Sequence, residues 1–319
     1  MSAREYREIS ESDLLDAPEF LDSMTDVANQ RSDRRGRAVQ AGIDDQDFAV
    51  TIGSFVQEAD ECAVTGSASL TVTLPAGRRG AHMSRFIESV YEVSARPWPT
   101  FAAFVDALTR DVAERQCTEE ARVRLVGRVL VPRRTPVSKQ LSHDRFMLLG
   151  DGRMRAGEVR TRTGLEATVI TACPCTQAYS WGSTALTLAE THGVNTANQI
   201  MRDVVPFTHS QRATATVWVD GEDGPSTRDC YAAMCEGAHV VHELLKRPDE
   251  HYLVQRSHTR PQFSEDVVRD VVSALLERSD AAWPGSCRVR VESRAVESIH
   301  SHAVHSVLEG TLDDFRTAE

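Results

Sequence analysis

No apolar run in this chain approaches the roughly 18 residues needed to cross a bilayer, and the first 25 residues are acidic, without the basic-then-apolar order of a secretory leader. The expectation is a cytoplasmic chain with no membrane partner. Disulfide density is missing too. Seven cysteines in 319 residues are an odd number and too sparse for a stapled scaffold, so reduced thiols are expected. No second cysteine pair at zinc-ribbon spacing accompanies Cys173-Pro174-Cys175, which argues against a structural Cys₄ site. Neither a Walker loop nor a Rossmann fingerprint occurs, so the common nucleotide-binding folds are unsupported. The formal net charge of −11 argues against broad nucleic-acid binding. It leaves room for a local basic pocket, and Arg78, Arg79 and Arg85, Arg133, Arg134 and Lys139, and Lys246 with Arg247 form such clusters.

With 41% hydrophobic and 26% charged residues the chain can bury a substantial core. Residues 1–25 have no clear period and are expected to form an arm. Val64 to Leu74 and Val123 to Val131 alternate as strands, with helices expected from Arg85 to about Glu92, capped by Ser84, and from about Thr100 to Gln116. The second half repeats this grammar. Strands are expected at Leu165–Ala172, Ala213–Val219, Cys287–Val296 and His302–Leu312. Helical spacing covers Arg228–Lys246, stopped by Pro248, and a Ser264-capped helix runs from Glu265 to about Arg278 with Val267, Val268, Val271, Val272 and Leu275 as its apolar stripe. Residues 176–205 read as a helical insertion. The pattern is α+β, with antiparallel sheets and helices on one face. It divides into a 1–25 arm, a 26–165 unit and a 166–319 unit.

The chemistry concentrates in the second unit. In Glu297-Ser298-Ile299-His300-Ser301-His302, an extended backbone would turn His300 and His302 to one side, and Cys173 could meet them there. Thiolate and imidazoles completed by a carboxylate suit Zn²⁺ or Fe²⁺ with a position left for water; chance spacing and small core cysteines are the plain alternative. If Cys173 ligates, Cys175 is left for direct chemistry with substrate, or as a structural thiol. Thr208-His209-Ser210-Gln211-Arg212 gathers an imidazole, an amide and a guanidinium suited to proton transfer and polar recognition, although a lone histidine is more often structural. In Leu245-Lys246-Arg247-Pro248-Asp249-Glu250 the cations either balance a helix end or contact phosphate, with Glu250 as a metal ligand in the second case. Gly80-Ala81-His82-Met83-Ser84-Arg85 joins a strand to a helix start that can hold an anion, or is a solvated turn.

Taken in order, Leu74-Pro75, Arg79-Gly80, His82-Met83-Ser84-Arg85-Phe86, Cys173-Pro174-Cys175, His209-Ser210-Gln211-Arg212, Leu244-to-Glu250 and Glu297-to-His302 resemble the type IB GTP cyclohydrolase family. The stretch from Asp33-Arg34-Arg35-Gly36 to Gly42-Ile43 is similar to that family's N-terminal opening. Thr171-to-Cys175 and the insertion before His209 look most like the archaeal branch, whose members can form a cyclic phosphate of dihydroneopterin.

The resemblance implies two tunnelling-fold units per chain, a homotetramer with active sites between subunits, GTP as substrate, and one divalent ion per site, Zn, Fe(II) or Mn. It implies Cys173, Glu250, His300 and His302 as metal ligands, with Glu297 as a further ligand or a partner of one. Cys175 and His209 would be catalytic, and Glu265 would anchor the guanine through paired hydrogen bonds; its plain reading is a favourable acid in a first helical turn. Arg79, His82, Ser84, Arg85, Gln211, Arg212, Lys246 and Arg247 would bind the remainder of the substrate. Two positions depart from the family: Ser210, usually asparagine, and His305, usually small or apolar.

Overall fold

A computed structural model describes residue 28 and residues 37–53, 61–244, 246–278 and 283–317. The 1–25 arm, the Asp33–Gly36 motif and Leu245 lie outside the described residues.

The alternating segments form a sheet in which every paired neighbour is antiparallel. Strands β1 (Val39–Ile52), β2 (Cys62–Leu74), β3 (Glu120–Arg134), β4 (Leu141–Arg155), β5 (Glu158–Ala172), β6 (Ser210–Asp220), β8 (Arg288–Val296) and β9 (Ala303–Thr311) follow one another in that order across the sheet. The two-residue β7 (His239–Val240) pairs with β5 through Val169↔Val240 and Ile170↔His239. Because side chains alternate across a strand, Val64, Ala68, Leu70, Val72 and Leu74 of β2 and Val123, Leu125, Val129 and Val131 of β3 all turn to one buried face. The opposite face carries ion pairs such as Arg122–Asp151, at 2.8 and 2.9 Å, and Arg290 with Glu292 and Glu309.

Helices cover the apolar face. In the first half these are α1 (Met83–Ser94) and α2 (Phe101–Arg115). Helix α1 buries Phe86, Val90 and Val93; α2 buries Phe101, Phe104, Val105, Leu108 and Val112, all at helical spacing. Thr100 caps α2 as expected, accepting the Ala103 N–H at 3.0 Å. Ser84 is not the cap of α1. That helix starts two residues earlier, at Met83, and the Gln116 side chain fixes its entry by donating to His82 O at 2.7 Å and accepting from His82 N at 3.2 Å.

In the second half α3 (Pro174–His192) and α4 (Val194–Asp203) form the helical insertion, followed by α5 (Thr227–Gly237), α6 (Arg247–Thr259), α7 (Ser264–Glu277) and the short α8 (Leu312–Arg316). The expected stripe of α7 is buried at all five positions. Ser264 does not cap it: its hydroxyl meets Ser293 Oγ at 2.8 Å, and Asp266 takes the Phe263 N–H at 2.9 Å instead. The first half runs strand pair, helix pair, strand pair; the second has β5 and β6 around the helical insertion, then α5, β7, α6 and α7, then the pair β8–β9. The strand pair, helices, strand pair order expected of tandem tunnelling-fold units therefore recurs with additions. The 165/166 boundary drawn from sequence falls inside β5, and the sheet continues through it.

One expectation fails outright. The helix expected over Arg228–Lys246 ends at Gly237, the chain then forms β7, and Pro248 sits in the first turn of α6 rather than stopping a helix. Proline suits that turn because its missing N–H has no intrahelical partner there. Gly237 marks where α5 crosses α7: a Cβ at this position would lie 2.7 Å from the backbone of Asp270 and Val271. Gly237→Ala is expected to lower unfolding stability by about 2 kcal/mol, the cost of overpacking, read from urea denaturation. An unchanged midpoint would mean that α5 and α7 can move apart freely.

Candidate active site

Two strand ends and one hairpin loop bring the second-half motifs to a single edge of the sheet. Strand β5 ends beside the start of β6, with Thr171 opposite Gln211 and Ala172 opposite Ser210. The Cys173 N–H donates to His209 O at 3.2 Å, and Thr208 Oγ donates to Cys173 O at 2.7 Å, so the two motifs are locked backbone to backbone. The 297–302 segment is the loop closing the β8–β9 hairpin rather than an extended strand. His300 and His302 nevertheless lie side by side, their rings stacked 5.1 Å apart at 12°. The His209 ring stands edge-on to His300 at 6.4 Å.

These residues line a cleft of about 250 Å³ formed by Thr171, Cys173, His209, Gln211, Glu297, His300 and His302, with Gln262, Phe263, Ser264 and Glu265 from the start of α7. Cys173 is the N-cap of α3, its sulfur accepting the Thr176 N–H at 3.4 Å. Burial opposes the thiolate, but hydrogen bonds from Thr176, His209 and the Cys175 backbone outweigh it, and the Cys173 thiol sits below its ordinary pKa.

Gln211 joins an acid to an imidazole. Its Nε2 donates to Thr171 Oγ1 at 2.9 Å and to Glu297 Oε1 at 3.2 Å. That orientation leaves its Oε1 to accept from His209 Nδ1 at 3.0 Å, with Ser298 Oγ at 3.5 Å. An amide oxygen can only accept, so His209 carries a hydrogen on Nδ1. The Glu297 carboxylate, only 10% exposed, has its second oxygen 4.0 Å from the same His209 Nδ1. Gln211 thus orients His209, and Glu297 holds Gln211.

Other residues singled out in the sequence lie elsewhere in the chain. Cys175 is exposed in the first turn of α3 and outside the cleft lining. Arg79, His82, Ser84 and Arg85 stand at the β2–α1 junction, where Arg85 Nη1 donates to Arg115 O at 2.8 Å. Arg212 is exposed on β6, and Lys246, Arg247 and Glu250 are exposed at the start of α6, none of them lining the cleft. His305 faces Glu292 at 3.5 Å on the open side of the sheet, and the exposed Ser210 opens β6.

Sequence reasoning passed over Asp249, the neighbour of Glu250. Asp249 is fully buried and accepts from Val137 N at 2.8 Å, Ser138 N at 2.9 Å and Ser138 Oγ, tying the β3–β4 loop to α6. Desolvation opposes its charge, yet the bonds from Ser138, Val137 and Thr135 hold its carboxyl below the usual carboxylate range. A depressed folded-state pKa contributes stability that is present above the unfolded value, near 4, and is lost as pH falls through the folded one. Asp249→Asn is accordingly expected to be less stable than the parent at pH 7. The difference should shrink below about pH 4, measured by denaturant midpoints across that range. A pH-independent difference would remove the carboxylate from the account.

The donor types in the cleft fit a borderline divalent ion: a thiol held towards its ionised form, three imidazoles and a carboxylate share one wall. Among the described residues no three His, Cys, Asp or Glu side chains close around one point at ligating distance.

The family model for type I GTP cyclohydrolase folE2 matches residues 24–306. The chain belongs to this family. GTP cyclohydrolase FolE2 of Bordetella petrii is 31% identical over 244 residues, covering 76% of this chain and 80% of the relative. GTP cyclohydrolase MptA of Haloquadratum walsbyi is 27% identical over 309 residues, covering 92% and 97%. Among solved structures, a uricase from Arthrobacter globiformis aligns with a TM-score of 0.44 and 9% identity over 88% of this chain and 95% of its own. None of the helices among the described residues is long and apolar enough to cross a membrane.

Proposed function

We propose that this member of the folE2 family is a metal-dependent GTP cyclohydrolase that opens the guanine imidazole ring, releases C8 as formate and yields a dihydroneopterin triphosphate. The observation that carries the reading is the convergence of Cys173, His209, Gln211, Glu265 and the His300/His302 loop on one cleft. Cys173, His300 and His302 would hold the ion. When bound it supplies a Lewis acid that lowers the pKa of a water for attack at C8. Glu297 is committed to Gln211 and serves as a buttress rather than a ligand.

His209, with Nδ1 fixed, can take and return a proton at Nε2. Glu265, exposed at the first turn of α7, can accept the ring N–H and the exocyclic amine of the base with its two oxygens. Cys175, two residues from Cys173 and outside the cleft lining, would contact the C8-derived group of a bound substrate. Arg79, Arg85, Arg212, Lys246, Arg247 and Glu250 stand away from this cleft in the single chain. That supports a site completed by another copy, as in a homotetramer with shared sites, which sedimentation measures directly.

The second reading of the product is the 2′,3′-cyclic phosphate of dihydroneopterin, which the resemblance of Thr171-to-Cys175 to the archaeal branch implies. Incubating metal-reconstituted protein with GTP, then following formate and pterin fluorescence, tests the reaction. Folded, metal-loaded protein that produces neither overturns it, and product mass before and after phosphatase treatment separates the two phosphates.

A further inference from the structure

A second cleft, of about 300 Å³, lies between the end of α5 and the outer face of α6, lined by His239, Tyr252, Gln255, Arg256, Thr259 and Arg260. It shares no residue with the catalytic cleft. Arg256, in the last turn of α6, and Arg260, its C-cap, reach the same place: Arg256 Nη2 donates to Cys235 O at 3.2 Å, and Arg260 Nη2 to Glu236 O at 3.2 Å and Gly237 O at 2.9 Å. Two positive charges are thus gathered at three consecutive carbonyls, and among the described residues neither guanidinium is paired with a carboxylate. The nearby acids are already engaged, Glu236 with Arg278 at 2.9 Å and Asp270 with Gln262.

His239 lines the same cleft and is fully buried, its Nε2 meeting Arg260 O at 2.7 Å. A carbonyl can only accept, so Nε2 carries the proton and Nδ1 is an acceptor; it has no partner. Burial and the two neighbouring arginines push the His239 pKa down to about 4, so the ring is neutral near pH 7. A buried acceptor without a donor is costly, and convergent guanidiniums with no carboxylate partner attract an anion. A carboxylate would answer the arginines but has no hydrogen for Nδ1. A phosphate group near neutral pH has both.

We propose that this cleft binds a phosphate group carrying one proton, with Arg256 and Arg260 meeting its charge and His239 Nδ1 accepting from its P–OH. The inference stands independently of the catalytic reading. Sulfate is the decisive comparison, because it has the same shape and charge class but no proton at neutral pH.

Calorimetric titration of the full chain at pH 7 is expected to give saturable binding of inorganic phosphate, with sulfate at least about tenfold weaker, the loss set by one hydrogen bond to a charged group. Arg256→Gln should weaken phosphate by a similar factor. Guanosine monophosphate titrated in parallel distinguishes free phosphate from a phosphoester: tighter binding that is also lost in R256Q identifies an ester as the ligand, and equal binding identifies the phosphate group alone. Equal affinity for phosphate and sulfate, no phosphate binding, or binding unchanged by Arg256→Gln overturns the proposal. The first comparison uses the unmodified chain and holds even if the variant fails to fold.

Discussion

Cys173→Ser is expected to lose metal retention and to lower formate release from GTP by roughly 10³-fold or more, the scale of losing the principal electrostatic element of an active site, with the fold unchanged. On the proposed function the thiol has two duties that serine separates. As N-cap of α3, the Cys173 sulfur takes the Thr176 N–H at 3.4 Å, and serine performs that task at least as well. As a soft, readily ionised donor facing His209 and the His300/His302 loop, it has no substitute in a hydroxyl, which stays protonated near neutral pH. A loss of activity with intact circular dichroism and an unchanged melting midpoint therefore reports ligation rather than helix capping. Metal analysis after gel filtration supplies the second reading. A variant that keeps both its metal and its turnover would remove Cys173 from the site.

The same edge of the sheet explains what could be read from the sequence. The alternation of β2, β3, β5 and β6 and the stripe of α7 are short-range patterns, and the burial they imply is present residue by residue. The meeting of Cys173, His209 and His300 was legible because each lies at a strand end or hairpin loop, where chemistry-bearing side chains can leave the sheet. What was not legible depends on contacts distant in sequence. Arg228–Lys246 has helical spacing throughout, but α7 crossing at Gly237 and the pairing of β7 with β5 decide otherwise. Asp249 and Glu250 are neighbours of the same charge, and only the β3–β4 loop folding over α6 makes the first a buried anchor and leaves the second exposed. The link from Gln211 to Glu297, 86 positions away, has no short-range signature at all.

That amide supports the last prediction. Gln211→Glu alone is expected to lower turnover by about 10- to 100-fold, the range for groups that orient a ligand or a catalytic imidazole, whereas Glu297→Gln, whose amide oxygen can still accept from Gln211 Nε2, is expected to lower it less. The double variant is expected to recover to within about tenfold of the parent. In the parent the amide accepts from His209 Nδ1 and donates to Glu297. A carboxylate at 211 can still accept from His209 Nδ1, but it confronts the Glu297 carboxylate across the 3.2 Å contact with no hydrogen between them. Two like charges there, with Glu297 only 10% exposed, force one to take up a proton or the loop to open, and His209 loses its fixed tautomer. Placing the amide at 297 restores a donor to that contact, so the same three groups connect with acid and amide exchanged. A residue needed only for packing would not be rescued in this way, since both single changes preserve volume. The pH profile carries independent information: Gln211→Glu alone should shift its basic or acidic limb, and the double variant should bring it back. A double variant no better than the poorer single one would mean that the contacts around Gln211 do not set the state of His209.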